Sequence, residues 1–447
     1  MKPCAANRFK PAIISAFQFF VVFCWLAAAP VYAGIFDGTF GASGKVRVEF
    51  PFPPTNDYSS SGYRVFIQPS GRIVGIGFHR ATGSKGATWS GVAMVGLTQT
   101  GALDEGFSGG KVLNWDSGSN IGLNDAQMLP DGRLLYLSLY NSIIGVPILN
   151  FYRVNTDGST DTSFAPNVRI NTSRTYPGRF AVQADGKIIV LVFTGETSNR
   201  FYLIRLLPDG SRDPGFGSGG VKEIIRLNNL SKPSVSFVRA LPNGKTLIGG
   251  SLGDSTNIQE HDELFLLRVD SDGNADHSFG GLGAARLRLG GLKMSAADLA
   301  VQPDGRYLIL GSIKNPDSDV LMARFTSRGK TDGSFGNAGN VITDFTINGE
   351  DSGARLALLS NGKIIVVGRA SLSAGAPWNF LLARHASNGL PEVQTQTAFT
   401  NEQNSGASDV IIQPDGKILV FGFTRNPNPE INGNIFAFAR YMGITND

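Results

Sequence analysis

A Pro-Asp-Gly turn or a close variant occurs seven times in this chain, with its glycine at Gly71, Gly132, Gly186, Gly244, Gly305, Gly362 and Gly416. The copies lie 54 to 61 residues apart, and each leads into a short β-branched run. A near-constant period of this length marks one supersecondary unit repeated around a ring or along a stack. On length alone, a chain of 447 residues predicts about three domains. The repeat overrides that prior, because all seven copies share one architecture. An abundance of glycine (56 residues) and a charged fraction of only 17% fit many short strands joined by tight turns.

Each unit follows one grammar. In the fifth, a strand near 298–302 reaches the turn Pro303-Asp304-Gly305. A second strand follows at 306–311, then a variable loop and a third strand at 320–325 that carries an arginine near its end. A second tight turn follows, and Phe335-Gly336 then leads into a fourth strand near 340–345. The second-turn glycines are Gly101, Gly158, Gly210, Gly273, Gly329 and Gly389. Three residues after the first five come Asp104, Asp161, Asp213, Asp276 and Asp332, and six residues after them Phe107, Phe164, Phe216, Phe279 and Phe335. Unit six departs, with Glu392 and Thr395 at these places. Glycine supplies positive φ without a Cβ clash, and a preceding Asp or Asn bonds the local backbone, so both turns read as hairpin turns.

The two ends of the chain explain each other. The seventh unit supplies strands near 410–413, 417–423 and 435–441 and lacks its Asp-x-x-Phe-Gly turn and fourth strand. That quarter stands near the other end, as Asp37-Gly38-Thr39-Phe40-Gly41 followed by 45–50. Splitting one unit between the ends serves a closed ring, where the early strand removes a free sheet edge. The sequence therefore predicts an all-β fold, a seven-bladed β-propeller of four-stranded blades with about 28 strands. An open solenoid is the rival architecture.

Residues 1–33 read as a secretory signal peptide, with 34–447 as the propeller. Lys2, Arg8 and Lys10 make a basic start, 13–29 is an uncharged and mostly apolar core, and Val31-Tyr32-Ala33 offers a cleavage site. The rival is an uncleaved anchor. The apolar run is at the short end of the roughly 17–25 residues that span a bilayer, and Pro30 with the Val-Tyr-Ala site favours cleavage. Phe23 stands before Cys24, where a lipoprotein signal calls for a small residue. Cleavage lowers the formal net charge from +4 to +1 and removes both cysteines, Cys4 and Cys24. What remains has no thiol chemistry and no charge excess to favour nucleic acid.

The string Val301-Gln302-Pro303-Asp304-Gly305-Arg306, with Met322-Ala323-Arg324-Phe325 and Asp332-Gly333-Ser334-Phe335-Gly336, resembles the delta-60 repeat family over essentially all of 36–441. Unit one departs from it with Gly96 at the arginine position, and unit six lacks its Phe-Gly. The resemblance implies propeller blades in a secreted or surface-attached bacterial protein. It implies no general activity and no catalytic residue set.

Strand alternation puts both tight turns of every blade at one end of the ring. The loops after each second strand and between blades fall at the other end, where length varies most, at 78–91, 251–263, 371–378 and 424–434. Function concentrates in loops held by a rigid scaffold. Trp89, Trp115 and Trp378, with Tyr58, Tyr63, Tyr140 and Tyr176, are the candidate ligand face, since aromatic rings bring large contact area. The alternative role for these side chains is packing of the blade ends. Arg153, Arg205, Arg268, Arg324, Arg384 and Arg440 recur at one place on strand three. They are expected to pair with the repeated aspartate of the same hairpin, because a buried charge needs a partner.

Enzyme signatures are weak. Gly106-Phe107-Ser108-Gly109-Gly110 fits G-x-S-x-G but coincides with the Phe-Gly turn and lacks the strand-to-helix elbow. His79, His261, His277 and His385 form no metal-binding pair. Asp270-Ser271-Asp272-Gly273-Asn274 departs from calcium-loop order and is also an ordinary second turn. Gly249-Gly250-Ser251-Leu252-Gly253 lacks the lysine of a phosphate loop. The sequence thus favours an exported, non-enzymatic binding or scaffold propeller, monomeric and without a cofactor, metal or catalytic residues. It would be secreted, periplasmic or at the cell surface, with a protein, peptide or glycan as partner, no nucleic acid and no membrane span after cleavage. The alternative is a propeller enzyme, a polysaccharide hydrolase or lyase, with its site at the mouth of the central channel.

Overall fold

The repeated turns close as their chemistry requires. In blade five the amide of Gly305 donates to the carbonyl of Gln302 (2.9 Å), and the Asp304 carboxylate accepts from the amide of Arg306 (3.0 Å). Gly305 has φ of 81°, the left-handed conformation that ends a three-residue hairpin loop. The computed structural model describes residues 34–51, 57–83, 88–117, 120–141, 147–168, 175–194, 200–224, 233–253, 262–314, 317–346, 349–373, 375–399, 404–431 and 433–443. The expected signal peptide lies outside them.

Seven antiparallel sheets make a seven-bladed propeller, with 27 strands among the described residues. Six sheets have four strands; the second blade has three, and the segment 169–174 that follows them lies outside the described residues. The last blade is completed from the other end of the chain. Lys45–Val48 pairs antiparallel with Asn434–Tyr441, in the register Lys45 opposite Ala439. Phe36 stacks on Tyr441 at 5.1 Å, and Asp37 takes the Arg440 guanidinium at 2.7 Å.

Burial shows why the ring is closed. Each apolar cluster joins two neighbouring blades, and all seven junctions have one, including that between the last blade and the first, where Phe421, Phe436 and Phe438 meet Val65, Ala93 and Val95. An open solenoid would leave two of these faces in water. At roughly 25 cal/mol per Å² of apolar surface, that exposure is what closure relieves.

Every blade shows a register shift, a β-bulge, where its innermost strand pairs with the second strand. In five blades a carbonyl just before the bulge pushes into the second strand, where only glycine leaves room. A Cβ on Gly311 would lie 1.9 Å from the Ser295 oxygen, and Gly77, Gly250, Gly368 and Gly422 face the same obstruction. A bulge re-aims the side chains beside it, and here it sets what lines the channel.

Candidate functional site

The turn end of the ring is a set of repeated fasteners. Arg153 pairs with Asp161 (2.7 Å), Arg205 with Asp213 (2.7 Å), Arg268 with Asp276 (2.6 Å), Arg324 with Asp332 (2.8 Å), and Arg384 with Glu392 (2.7 Å), as the repeat predicts. The first four guanidiniums also reach across to the second turn of the next blade, as when Arg324 donates to the carbonyl of Ser387 (2.7 Å). Each of these first four also lies over its blade's phenylalanine, 4.5 to 4.8 Å from the ring centre. That phenylalanine packs on the second-turn glycine of the following blade. Blade one, which lacks the arginine, uses Arg72 instead, bonded to Asp104 (2.6 Å) and to the carbonyl of Thr156 (2.7 Å). These charges hold neighbouring blades together.

The channel holds a second ring that sequence reasoning missed. Seven residues before each first-turn glycine, directly after the bulge, stand Arg64, Asp125, Arg179, Phe237, Asp298, Arg355 and Asp409. Opposite charges alternate from blade to blade, but seven is odd, so perfect alternation is impossible. Phe237 occupies the odd place, and Arg239, two residues on, pairs with Asp298 at 2.6 Å. Arg355 lies 3.4 Å from Asp298 and 3.7 Å from Asp409, and Arg64 lies 3.2 Å from Asp409. Each aspartate also accepts a backbone N–H from the next blade: Phe180 to Asp125 (3.2 Å), Leu356 to Asp298 (3.2 Å) and Val65 to Asp409 (2.8 Å). Arg355 of blade six reaches the Tyr63 ring of blade one, and Arg179 of blade three donates to the Tyr63 hydroxyl (2.6 Å) and to the carbonyl of Asn124. Side chains from blades one, three and six meet only at the axis, so the channel is filled at this level. Burial acts against charge at Asp298, and the surrounding arginines overcome it, holding that carboxyl below the ordinary carboxylate range.

The structure does not bring the seven predicted aromatic residues together, and Tyr58 is buried with Ala81 and Ile431. Tyr63 lies mid-strand in the channel wall, away from the loop end, because the bulge turns it inward. Tyr176 stacks on Phe193 at 5.3 Å. Trp378 opens strand three of blade six at the loop end, half-buried, with Arg369 4.4 Å from its ring centre. Trp89 sits near the start of the matching strand in blade one, opposite Ala81. The side chains of Trp115 and Tyr140 lie outside the described residues. His79 and His385 are fully buried, and burial lowers both to about 4, so they are neutral core residues. His79 bonds the Ser60 hydroxyl at 2.6 Å.

Also at the loop end, three aspartates from two blades converge. Asp319 lies near the start of strand three of blade five, Asp344 follows strand four, and Asp351 opens blade six; one carboxylate oxygen of each lies within 4.8 Å of the others. Asp319 is pushed up to about 7 by burial and then by the charges of Asp344, Asp317 and Asp351. Burial also raises Asp351 to about 7, against the bonds it accepts from the Phe345 amide and the Thr346 hydroxyl. No sequence motif marks this triad, which only the blade junction assembles.

The family comparison agrees with the architecture. A profile of the family described as "Domain of unknown function (DUF5122) beta-propeller" matches residues 129–164, 183–216 and 302–335. Three of the repeats match this β-propeller profile. Similar solved structures include that of polysaccharide lyase Uly1, at 12% identity over 90% of this chain and 92% of that one, with a TM-score of 0.49. The β-propeller domain of the Trilobed protease from Pyrococcus furiosus is 8% identical over 87% and 100% of the two chains, with a TM-score of 0.39. The endo-arabinase from Bacteroides thetaiotaomicron is 14% identical over 58% and 90%, with a TM-score of 0.31. No curated protein matches the sequence. Among the described residues, no helix is long and apolar enough to cross a membrane.

Proposed function

We propose that this propeller is an exported, non-enzymatic scaffold that presents its loop end to a protein, peptide or glycan, in keeping with the delta-60 resemblance. The observation that carries this reading is the contrast between the two ends and the axis. At the turn end the strand-three arginines, and in the channel the alternating ring of charges, are engaged in holding neighbouring blades together. A hydrolase or lyase working at the channel mouth needs a carboxylate or similar base free to exchange a proton with substrate. The channel carboxylates Asp125, Asp298 and Asp409 each accept a structural backbone bond instead. Non-repeated chemistry gathers at the loop end: Trp378 against Arg369, Trp89, and the aspartate triad.

A thermal-shift panel of oligosaccharides and cell-wall fragments tests the proposal, since a ligand of the folded state raises the melting temperature with concentration. The expected result is a saturable shift that Trp378→Ala or Trp89→Ala removes and the turn-end variant Lys330→Ala keeps. A shift that survives both tryptophan variants and is lost in Lys330→Ala overturns the assignment of the face. Release of cleaved sugar products overturns the non-enzymatic reading.

A further inference from the structure

We propose that Asp319, Asp344 and Asp351 form a calcium site that ties blade five to blade six at the loop end of the ring. The geometry suits such an ion: one carboxylate oxygen of each residue lies within 4.8 Å of the other two, close enough for a single cation among them to draw on all three carboxylates. The donors are all oxygens, which select a hard cation rather than zinc or copper. Asp344 is exposed, leaving the ion open to water ligands on one side.

Two further observations point to a missing positive charge. Asp319 is only 8% exposed, yet among the described residues its side chain has no hydrogen-bond or ion-pair partner. The other buried aspartates, at 37, 125, 213, 276, 298, 332, 351 and 409, each have a cationic side chain, a hydroxyl or a backbone N–H on the carboxylate. The charges acting on Asp319 are those of Asp344, Asp317 and Asp351, all negative. A buried unpaired carboxylate is costly, and a divalent ion relieves that cost.

The preceding blade supplies an internal comparison. Counted from the second-turn glycines Gly273 and Gly329, the places of Asp319 and Asp344 correspond to Glu263 and Arg288. Those two approach to 3.5 Å as an ion pair. The fold therefore brings these positions together in both blades. In blade four opposite charges meet there; in blade five the cation is replaced by a third-party requirement, because both residues are acidic. Asp351 adds a further carboxylate at a place where the other blades carry Ser60, Ile121, Thr175, Pro233, Met294 and Ser405.

The test uses the full chain stripped with a chelator and titrated with Ca²⁺ from roughly 10⁻⁵ to 10⁻² M, which brackets sensor-type and extracellular oxygen-ligand sites. Calorimetry and the melting temperature are read together. The expected result is saturable one-to-one binding with a rise in melting temperature. Asp319→Asn should weaken it by about tenfold or more, as loss of ligand charge predicts. Asp344→Arg should abolish it, while raising the melting temperature in chelator by recreating the pair of blade four. This variant gains a partner for Asp319, so misfolding does not confound it. A response to Ca²⁺ that persists in both variants overturns the site, as does no saturable response in the unaltered protein. A fall in the melting temperature of Asp344→Arg in chelator overturns the account of Asp319 as an unmatched charge.

Discussion

Asp298 is the channel residue on which most depends, and its removal gives the sharpest test of the alternating ring. Asp298 is 4% exposed, and its side chain accepts from Arg239 at 2.6 Å, from Arg355 at 3.4 Å and from the amide of Leu356 at 3.2 Å. Asp298→Ala leaves two guanidiniums inside the ring facing only Asp409 and the more distant Asp125, and orphans a backbone donor of the next blade. Breaking one buried pair from one side costs about 3–5 kcal/mol, and an unsatisfied buried N–H costs roughly 1–3 kcal/mol. The two do not add fully, because Arg355 keeps Asp409 at 3.7 Å and Arg239 keeps the carbonyl of Val238 at 3.0 Å. The expected loss is about 4 kcal/mol, a large share of the roughly 5–15 kcal/mol that holds a typical domain. Equilibrium urea unfolding, followed by tryptophan fluorescence, measures it. Asp298→Asn keeps an acceptor for Leu356 and should lose less. Removing Arg239 together with Asp298 should restore part of the loss, with a coupling of about 1–3 kcal/mol. A loss below about 1 kcal/mol in Asp298→Ala, or simple additivity in the double variant, would refute the claim that these charges are mutually required.

Three other predictions separate the forces in the ring. Gly389 and Gly416 both sit at positive φ, but a Cβ on Gly389 would lie 2.5 Å from the Phe335 ring, whereas nothing lies within 4 Å at Gly416. Gly416→Ala should cost only the left-handed backbone term of about 1–2 kcal/mol, and Gly389→Ala clearly more; equal losses by urea unfolding would show that the interblade phenylalanine does not set the turn. Chelated protein should be most stable near about pH 5, for two opposing reasons. Asp161 is held well below the ordinary carboxylate range by the Ser163 hydroxyl and then by Arg153, against burial, so its contribution is complete above about pH 4 and is lost as pH falls further. Asp319 and Asp351, raised to about 7, bind protons in the folded state first, so the ion-free fold loses stability as pH rises from about 4 towards 7. Melting temperatures that only climb between pH 5 and 8 in chelator would contradict this sign. Finally, Asp37→Ala unpairs Arg440 at the closure and should cost about 3–5 kcal/mol, whereas loss of residues 34–51 should expose the edge of Asn434–Tyr441 and produce soluble aggregates by light scattering.

The sequence by itself determined the blade count, the turns, the ring closure and the pairing of the strand-three arginines, because each rests on local offsets that repeat. A glycine at the turn, an arginine before it and an aspartate after it keep their meaning without reference to the rest of the chain. The channel ring was half legible: the alternation of Arg64, Asp125, Arg179, Asp298, Arg355 and Asp409 is visible once the units are aligned on their turns. What it lines was not visible, because a β-bulge decides that these side chains, and Tyr63, point to the axis. A pairing slip of one residue changes the face a side chain occupies, and nothing in the residues at 62–64 announces the slip. The aspartate triad was not legible at all. Asp319, Asp344 and Asp351 come from strand ends of two blades, and their meeting depends on how one blade packs on the next, through contacts such as Phe345 and Leu356 in a shared core. Repeats write their common features into local sequence; the features that distinguish one junction from another arise where blades touch, and only tertiary packing brings those residues together.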